Sequence, residues 1–271
     1  MIVVTGATGN VGRPLVETLA AAGEEVVAVS RGTGVTGVPH RRADLTDPAS
    51  LAPALVGASA VFLLTSPDYL GSGAAFGDVV DVVRAAGVRR VVLLSSQGVA
   101  TGRHPDGIEQ AVRSSGLEWT VLQPGAFASN AFQWAQPIST SRTAAAPFGD
   151  VALPVVHTSD IADVAAAVLR SESHAGRSYV LTGPAAITPR QQVAAIGEAL
   201  GEPVEFVELS RAEAKAGMLR HMPEPVVETT LDLLGTPTPL EQSVNPDVES
   251  VLDRPARPFT DWVRRNVVAF K

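Results

Sequence analysis

Ile2-Val3-Val4-Thr5-Gly6-Ala7-Thr8-Gly9-Asn10-Val11-Gly12 opens the chain, and its reading decides the fold. A short apolar strand runs into a glycine-spaced turn, and the residues from Arg13 to Ala22 follow as a helix closed by Gly23. One glycine allows a tight turn and a second lets backbone N–H groups approach a pyrophosphate. The third lets the helix pack against the strand, and the positive helix end then faces the phosphates. Glycines serve many turns. Here the context is complete, with a strand before and a helix after. The reading is nucleotide binding, carried by Gly6, Ala7, Thr8, Gly9, Asn10, Val11 and Gly12.

Downstream, apolar β-branched runs alternate with helical segments. Glu25 to Arg31 reads as a second strand, and Arg41 to Asp47 as a short strand ending in Asp44-Leu45. Thr46 or Asp47 is placed to cap a helix from Pro48 to Val56. Ala60 to Pro67 is a continuous apolar strand of the kind that parallel sheets bury on both faces. A helix over Gly73–Ala86, a strand over Arg89–Gly98, a helix over Asp106–Ser115 and a strand from Glu118 complete the alternation. That rhythm predicts an α/β fold with a doubly wound parallel sheet, whose ligands lie beyond the carboxyl ends of the strands.

Then the rhythm changes. Residues 137–150 read as an irregular, mobile loop, Val155–His157 as a strand, Ile161–Arg170 as a helix and Arg177–Thr182 as a strand. Beyond Thr188 the pattern is mainly helical, with one strand at Val204–Leu209. The expected organisation is a nucleotide-binding domain over 1–150. Residues 151–183 complete its sheet, and a smaller, mostly α-helical substrate domain spans 184–271.

Composition narrows the function. At 45% hydrophobic and 18% charged the chain reads as a soluble globular protein. A net charge of −7 argues against a nucleic-acid surface, and no apolar run is long enough to span a bilayer. With no cysteine, disulfides and thiol chemistry are excluded; the scattered histidines form no metal constellation. The expectation is a cytoplasmic monomer or homodimer acting on a small molecule, with no nucleic-acid or membrane partner.

Cofactor choice turns on the end of the second strand. An acidic residue there favours NAD, whereas an arginine grips the 2′-phosphate of NADP. This chain has Arg31, so NADP(H) is preferred over NAD(H); the competing account is a solvated arginine. Asp44 with Leu45 is placed to meet the adenine, and Leu64, Thr65 and Ser66 to line the cleft. Ser95, Ser96 and Gln97 end a central strand there, either touching the ligand or merely capping backbone. Pro124, Gly125, Ala126 and Phe127 are placed at the nicotinamide.

The Thr5 to Gly12 turn, Ala43 to Leu45 and Val91 to Ser96, with Ser115 to Gly125, Phe127, Asn130, Thr158 to Ala162 and the closing Arg257 to Val263, resemble the NmrA-like branch of the atypical short-chain dehydrogenases/reductases. The resemblance covers nearly the whole chain. It implies a Rossmann-type NAD(P)-binding domain, a smaller helical domain and a substrate cleft between them. Where the family usually has an arginine before the strand's proline, this chain has Gln123.

Typical short-chain dehydrogenases use a Tyr-x-x-x-Lys pair for proton transfer. The tyrosines here are Tyr69 and Tyr179, followed four residues later by Gly73 and Gly183, and the lysines are Lys215 and Lys271. That relay is absent. Hydride transfer needs only a nicotinamide held near an electrophilic carbon in a dry pocket. Candidate catalytic groups are Ser96, His104 and Asn130, against the bland readings of a strand cap, a solvated loop histidine and a loop-bonding amide. Asp106 is most simply a first-turn helix residue. Phe132, Trp134, Phe148, His157 and Met218 are candidates for a substrate wall, with core packing as the rival for each. The leading expectation is an NADPH-dependent reductase of a small or medium apolar or aromatic quinone, enone or imine. A non-catalytic NADP(H) sensor working through a protein partner is the alternative, and an isomerase on the same scaffold a third.

Overall fold

Each buried apolar run becomes a strand because a sheet covered on both faces can bury every side chain it carries. The structure, a computed structural model, describes residues 1–35 and 37–271. In chain order the first unit opens with β1 (Ile2–Thr5), α1 (Gly12–Ala21), β2 (Val26–Ser30) and β3 (His40–Arg42). After the 3-10 turn Pro48–Leu51 come α2 (Ala52–Leu55), β4 (Ala60–Leu64), α3 (Pro67–Ser72) and α4 (Phe76–Ala85). Then follow β5 (Arg90–Leu94), α5 (Gln97–Ala100), α6 (Gly107–Arg113) and β6 (Glu118–Pro124). The second part of the chain adds α7 (Ala135–Ser141), β7 (Thr143–Pro147), α8 (Thr158–Arg170), β8 (Arg177–Leu181), α9 (Pro189–Leu200) and β9 (Glu205–Leu209). It closes with α10 (Arg211–Met218), α11 (Glu224–Gly235), α12 (Pro239–Gln242), α13 (Asp247–Leu252) and α14 (Phe259–Asn266).

The main sheet has seven strands in the order β3-β2-β1-β4-β5-β6-β8. Every pairing in it is parallel. The strand order reverses direction between β1 and β4, so the glycine turn after β1 opens at the crevice where such sheets bind ligands. Thr5, 2% exposed, closes that crevice from below. Its hydroxyl donates to the Phe62 carbonyl at 2.9 Å and accepts the Leu64 N–H at 3.0 Å, linking β1 to β4 just past their last register pair, Val4 with Phe62.

α1 buries Leu15, Val16 and Leu19 on one stripe, and Gly23 at φ 79° ends it. One sheet face is filled by residues including Leu51, Leu55, Tyr69, Val79 and Val83.

Two compact units emerge, and neither is continuous in sequence. The first comprises 1–124, 158–181 and 247–254; the second comprises 125–157, 182–246 and 255–271. The chain therefore re-enters the sheet unit late. There Asp247 accepts the Val180 N–H at 2.7 Å, and Arg254 meets Asp160 at 2.7 Å and Asp163 at 2.8 Å. Domain boundaries at 150 and 184 do not describe this division. Within the second unit, β7 and β9 form a two-stranded parallel sheet. Its main core joins Trp134, Ile138, Ile196, Phe259, Trp262 and Phe270, and a satellite core joins Ala214, Val227 and Leu231.

Several expectations need correction. Residues 137–150 are not an irregular loop: they hold the end of α7 and all of β7. Val155–His157 is no strand, making only an isolated bridge from Val156 to Phe127. The segment 73–86 begins its helix at Phe76 and is preceded by a separate helix, α3. Asp47 makes no side-chain cap; Ser50 Oγ instead donates to the carbonyls of Asp44 and Asp47.

Thr5→Val keeps the shape but strips both hydrogen bonds from buried backbone groups, so it should cost about 1–3 kcal/mol in urea unfolding. Wild-type stability in the variant would show that the link is dispensable.

Candidate functional site

At the turn after β1, Gly6 adopts φ 63°, and a Cβ there would sit 3.0 Å from Leu64 Cδ2. At Gly12 a Cβ would lie 2.1 Å from the Gly6 carbonyl oxygen and 2.9 Å from Ala7 Cα, so α1 can approach the turn only without a side chain. Ala7 and Val11 are buried, whereas Thr8, Gly9 and Asn10 face solvent. No side chain caps α1 and no acidic residue lies in its first turn. Among the described residues, nothing takes the N–H groups of Asn10, Val11 and Gly12. Unspent donors at the positive end of a helix, in a cradle that a Cβ would fill, fit a pyrophosphate.

Beyond β2, Arg31 is exposed and donates to Asp68 at 2.6 Å. That hydrogen bond, with the charge behind it, holds the guanidinium above its ordinary range. The edge strand β3 brings Arg41 and Arg42 alongside Val29 and Ser30. Asp44 is half-buried and accepts the Thr46 N–H at 3.0 Å, which holds its carboxyl below the usual range. Leu45 packs on the sheet core. At the end of β4, Leu64 touches the turn, Thr65 is half-buried, and Ser66 accepts the Tyr69 N–H to cap α3.

The end of β5 sends its two serines to different partners. Ser95 Oγ donates to Glu109 Oε1 at 2.5 Å, into the protein. Glu109, 3% exposed, also receives Gln123 Nε2 at 2.9 and 3.1 Å and Arg113 at 2.7 Å. A buried carboxylate needs such neighbours to remain charged. The charge absent at Gln123 is thus supplied by Arg113, from α6 instead of β6. Ser96 Oγ accepts the Gly98 N–H at 3.0 Å, capping α5, and lies 3.1 Å from His104 Nδ1. The loop is shaped for that pair. Arg103 and His104 both donate N–H to the Gly98 carbonyl, and a Cβ on Gly98 would fall 2.4 Å from the imidazole. Gln97 is buried beside them. Asp106 stands at the start of α6 without capping it, and Gln110 donates to its carboxylate at 3.1 Å.

Pro124 is the last residue of β6 and pairs with Leu181, while Gly125, Ala126 and Phe127 begin the second unit. In that unit Asn130 is exposed on a 3-10 helix. The five wall candidates do not form one wall. Trp134 is core, 4% exposed, with its indole N–H on the Ala145 carbonyl at 3.0 Å. Phe132 joins Trp262 and Phe270 in an aromatic group. Phe148 and Met218 belong to the satellite core instead, and His157 is 2% exposed.

Both tyrosines and Lys215 have other partners. Tyr69 OH donates to the Ala74 carbonyl, and burial raises its phenol. Tyr179 pairs with His174 Nδ1 at 2.7 Å, and Lys215 bridges Glu224 and Glu228. No cluster of metal-ligating groups occurs among the described residues, and no helix there is long and apolar enough to cross a membrane.

Sequence reading missed Glu109, Arg113 and Asp68. For the first a signal existed: Glu109 shares the inward face of α6 with Val112, and Arg113 follows at i+4. Asp68 carried none, because it falls between the expected strand ending at Pro67 and the expected helix starting at Gly73.

A parallel sheet with this cradle at its strand-order reversal defines a Rossmann-type dinucleotide-binding protein. The profile of the NmrA-like family matches residues 1–251, and the chain belongs to that family. A (4-alkanoyl-5-oxo-2,5-dihydrofuran-3-yl)methyl phosphate reductase of Streptomyces griseus is 39% identical, over 100% of this chain and 99% of that protein. The NAD(P)H azoreductase of Xenophilus azovorans is 31% identical over the same shares. An Escherichia coli NADPH-dependent quinone oxidoreductase, solved with NADPH, superposes with a TM-score of 0.81 at 24% identity, covering 98% of this chain and 99% of that one. At that identity the likeness concerns the fold.

Gly12→Ala should weaken NADPH binding at least about tenfold, read by nicotinamide fluorescence on protein whose circular dichroism stays native. Undiminished binding would remove the cradle from the account. Arg113→Ala, leaving Glu109 buried beside neutral donors only, should cost about 2–3 kcal/mol of unfolding free energy. Adding Gln123→Arg should recover much of that loss; a double variant no better than the single one would show that the charge on Glu109 does not matter.

Proposed function

We propose that this protein reduces an electron-poor carbon–carbon double bond conjugated to carbonyl groups, an activated enone, at the expense of NADPH. It is an NAD(P)H-dependent reductase that takes NADP(H); the acceptor is the proposal. One observation supports it: a glycine turn whose shape fits a pyrophosphate occurs in a chain whose sequence has no Tyr-x-x-x-Lys pair.

Bound NADPH supplies a hydride. What the protein must then manage is the charge left on the acceptor. A simple ketone leaves an alkoxide, too basic to form without a positioned acid. An alkene flanked by carbonyls leaves its charge spread over their oxygens, and the proton can follow later. The acceptor named for the Streptomyces griseus reductase has this character, its ring double bond being conjugated to both the lactone carbonyl and the alkanoyl group. A quinone shares the property, since hydride addition leaves a phenolate whose charge is spread over an aromatic ring.

In this reading Gly6 to Gly12 hold the pyrophosphate and Arg31 holds the 2′-phosphate. Ser96 and His104 hold the proton that completes the reduction, with the Ser96 hydroxyl between imidazole and ligand. Ser95 and Gln97 act through the backbone they fix. The missing relay would equally suit a non-catalytic sensor, but no other feature favours that role.

The test is a panel: an acylated unsaturated lactone, a quinone, an azo dye and a plain ketone, each with NADPH oxidation followed by absorbance. The lactone should be turned over fastest and the ketone should be inert. Preferential reduction of the ketone would overturn the proposal.

A further inference from the structure

Asp68 occupies the guanidinium on which the choice of cofactor depends. Arg31 Nη1 donates to Asp68 Oδ2 at 2.6 Å, with 54% and 69% of the two side chains exposed. The position of Asp68 is nevertheless firmly set. Pro67 starts α3, Ser66 caps it through the Tyr69 N–H at 3.2 Å, and the buried Tyr69 ring meets Phe76 edge-on at 5.7 Å. The carboxylate is therefore carried on an anchored turn while remaining in solvent.

Such an arginine is a compromised receptor for a phosphate. To be gripped, a 2′-phosphate must draw the guanidinium away from Asp68, and the released carboxylate then repels the phosphate. A 2′-hydroxyl brings no charge, and a carboxylate can accept its hydrogen bond. We propose that Asp68 is a specificity-determining residue that narrows discrimination between NADPH and NADH by competing with the 2′-phosphate for Arg31. The inference rests on the reading of Arg31 as the 2′-phosphate receptor.

A purely structural role predicts something different. An acidic residue in the first turn steadies α3 against its helix dipole. Losing that support moves both cofactors alike, whereas competition moves only the phosphorylated one.

The experiment measures dissociation constants for NADPH and NADH by nicotinamide fluorescence, using the full chain at low and moderate salt. The proteins are wild type, Asp68→Asn, Arg31→Ala and the double variant. Exposed ion pairs are worth a factor of a few, so Asp68→Asn should tighten NADPH about three- to fivefold while leaving NADH unchanged or weaker. The gain should shrink as salt rises, and it should vanish in the Arg31→Ala background. An unchanged NADPH/NADH ratio in Asp68→Asn, with the ratio falling in Arg31→Ala, overturns the role of Asp68 and leaves Arg31 as the receptor. Equal shifts for both cofactors in Asp68→Asn overturn it too. A ratio that neither variant moves removes Arg31 as the receptor and the proposal with it.

Discussion

The close approach of α1 to the turn after β1 is the constraint on which the remainder depends. With a Cβ on Gly12 only 2.1 Å from the Gly6 carbonyl oxygen, the helix has one position open to it, and that position requires glycine. Once seated, α1 directs unspent N–H groups and its dipole at the space beyond the sheet. The strand-order reversal between β1 and β4 leaves that space open, and the Thr5 hydroxyl ties the two strands together beneath it. Sheet and cradle are thus one construction.

A second constraint is the carboxylate of Glu109. Burying it is costly unless donors surround it. Ser95, Gln123 and Arg113 do so, joining the ends of β5 and β6 to α6. Because the positive charge comes from a helix whose arginine is partly exposed, the strand can carry a neutral glutamine beside the ligand end of the sheet. The same network engages the Ser95 hydroxyl, while Ser96 pairs with His104 instead.

These two features set what chemistry is open. The cradle offers backbone N–H donors, which do not titrate. The edge at β5 offers a hydroxyl and an imidazole, without a lysine-assisted phenol. Beyond β2, the exposed Arg31 is shared with an acidic neighbour, Asp68.

Much of this was legible in the residues. The glycine spacing, the apolar strands and Arg31 declare themselves locally, because turn geometry, strand burial and charge are properties of a few adjacent residues. The segment 137–150 was misread because its alanines and serines carry no periodicity, and β7 exists only by pairing with β9 far along the chain. The expected substrate wall divided for the same reason: an aromatic side chain does not record which neighbours it will meet, so Trp134 became core and Phe148 joined Met218 in a separate cluster. By itself, the sequence determined the doubly wound α/β fold, a glycine turn of the kind that takes a pyrophosphate at its start, and the lack of any Tyr-x-x-x-Lys pair. Only the tertiary structure decided that Arg113 neutralises Glu109, that Asp68 engages Arg31, and that two discontinuous units share the chain. Those outcomes depend on contacts between residues distant in sequence, which local pattern does not encode.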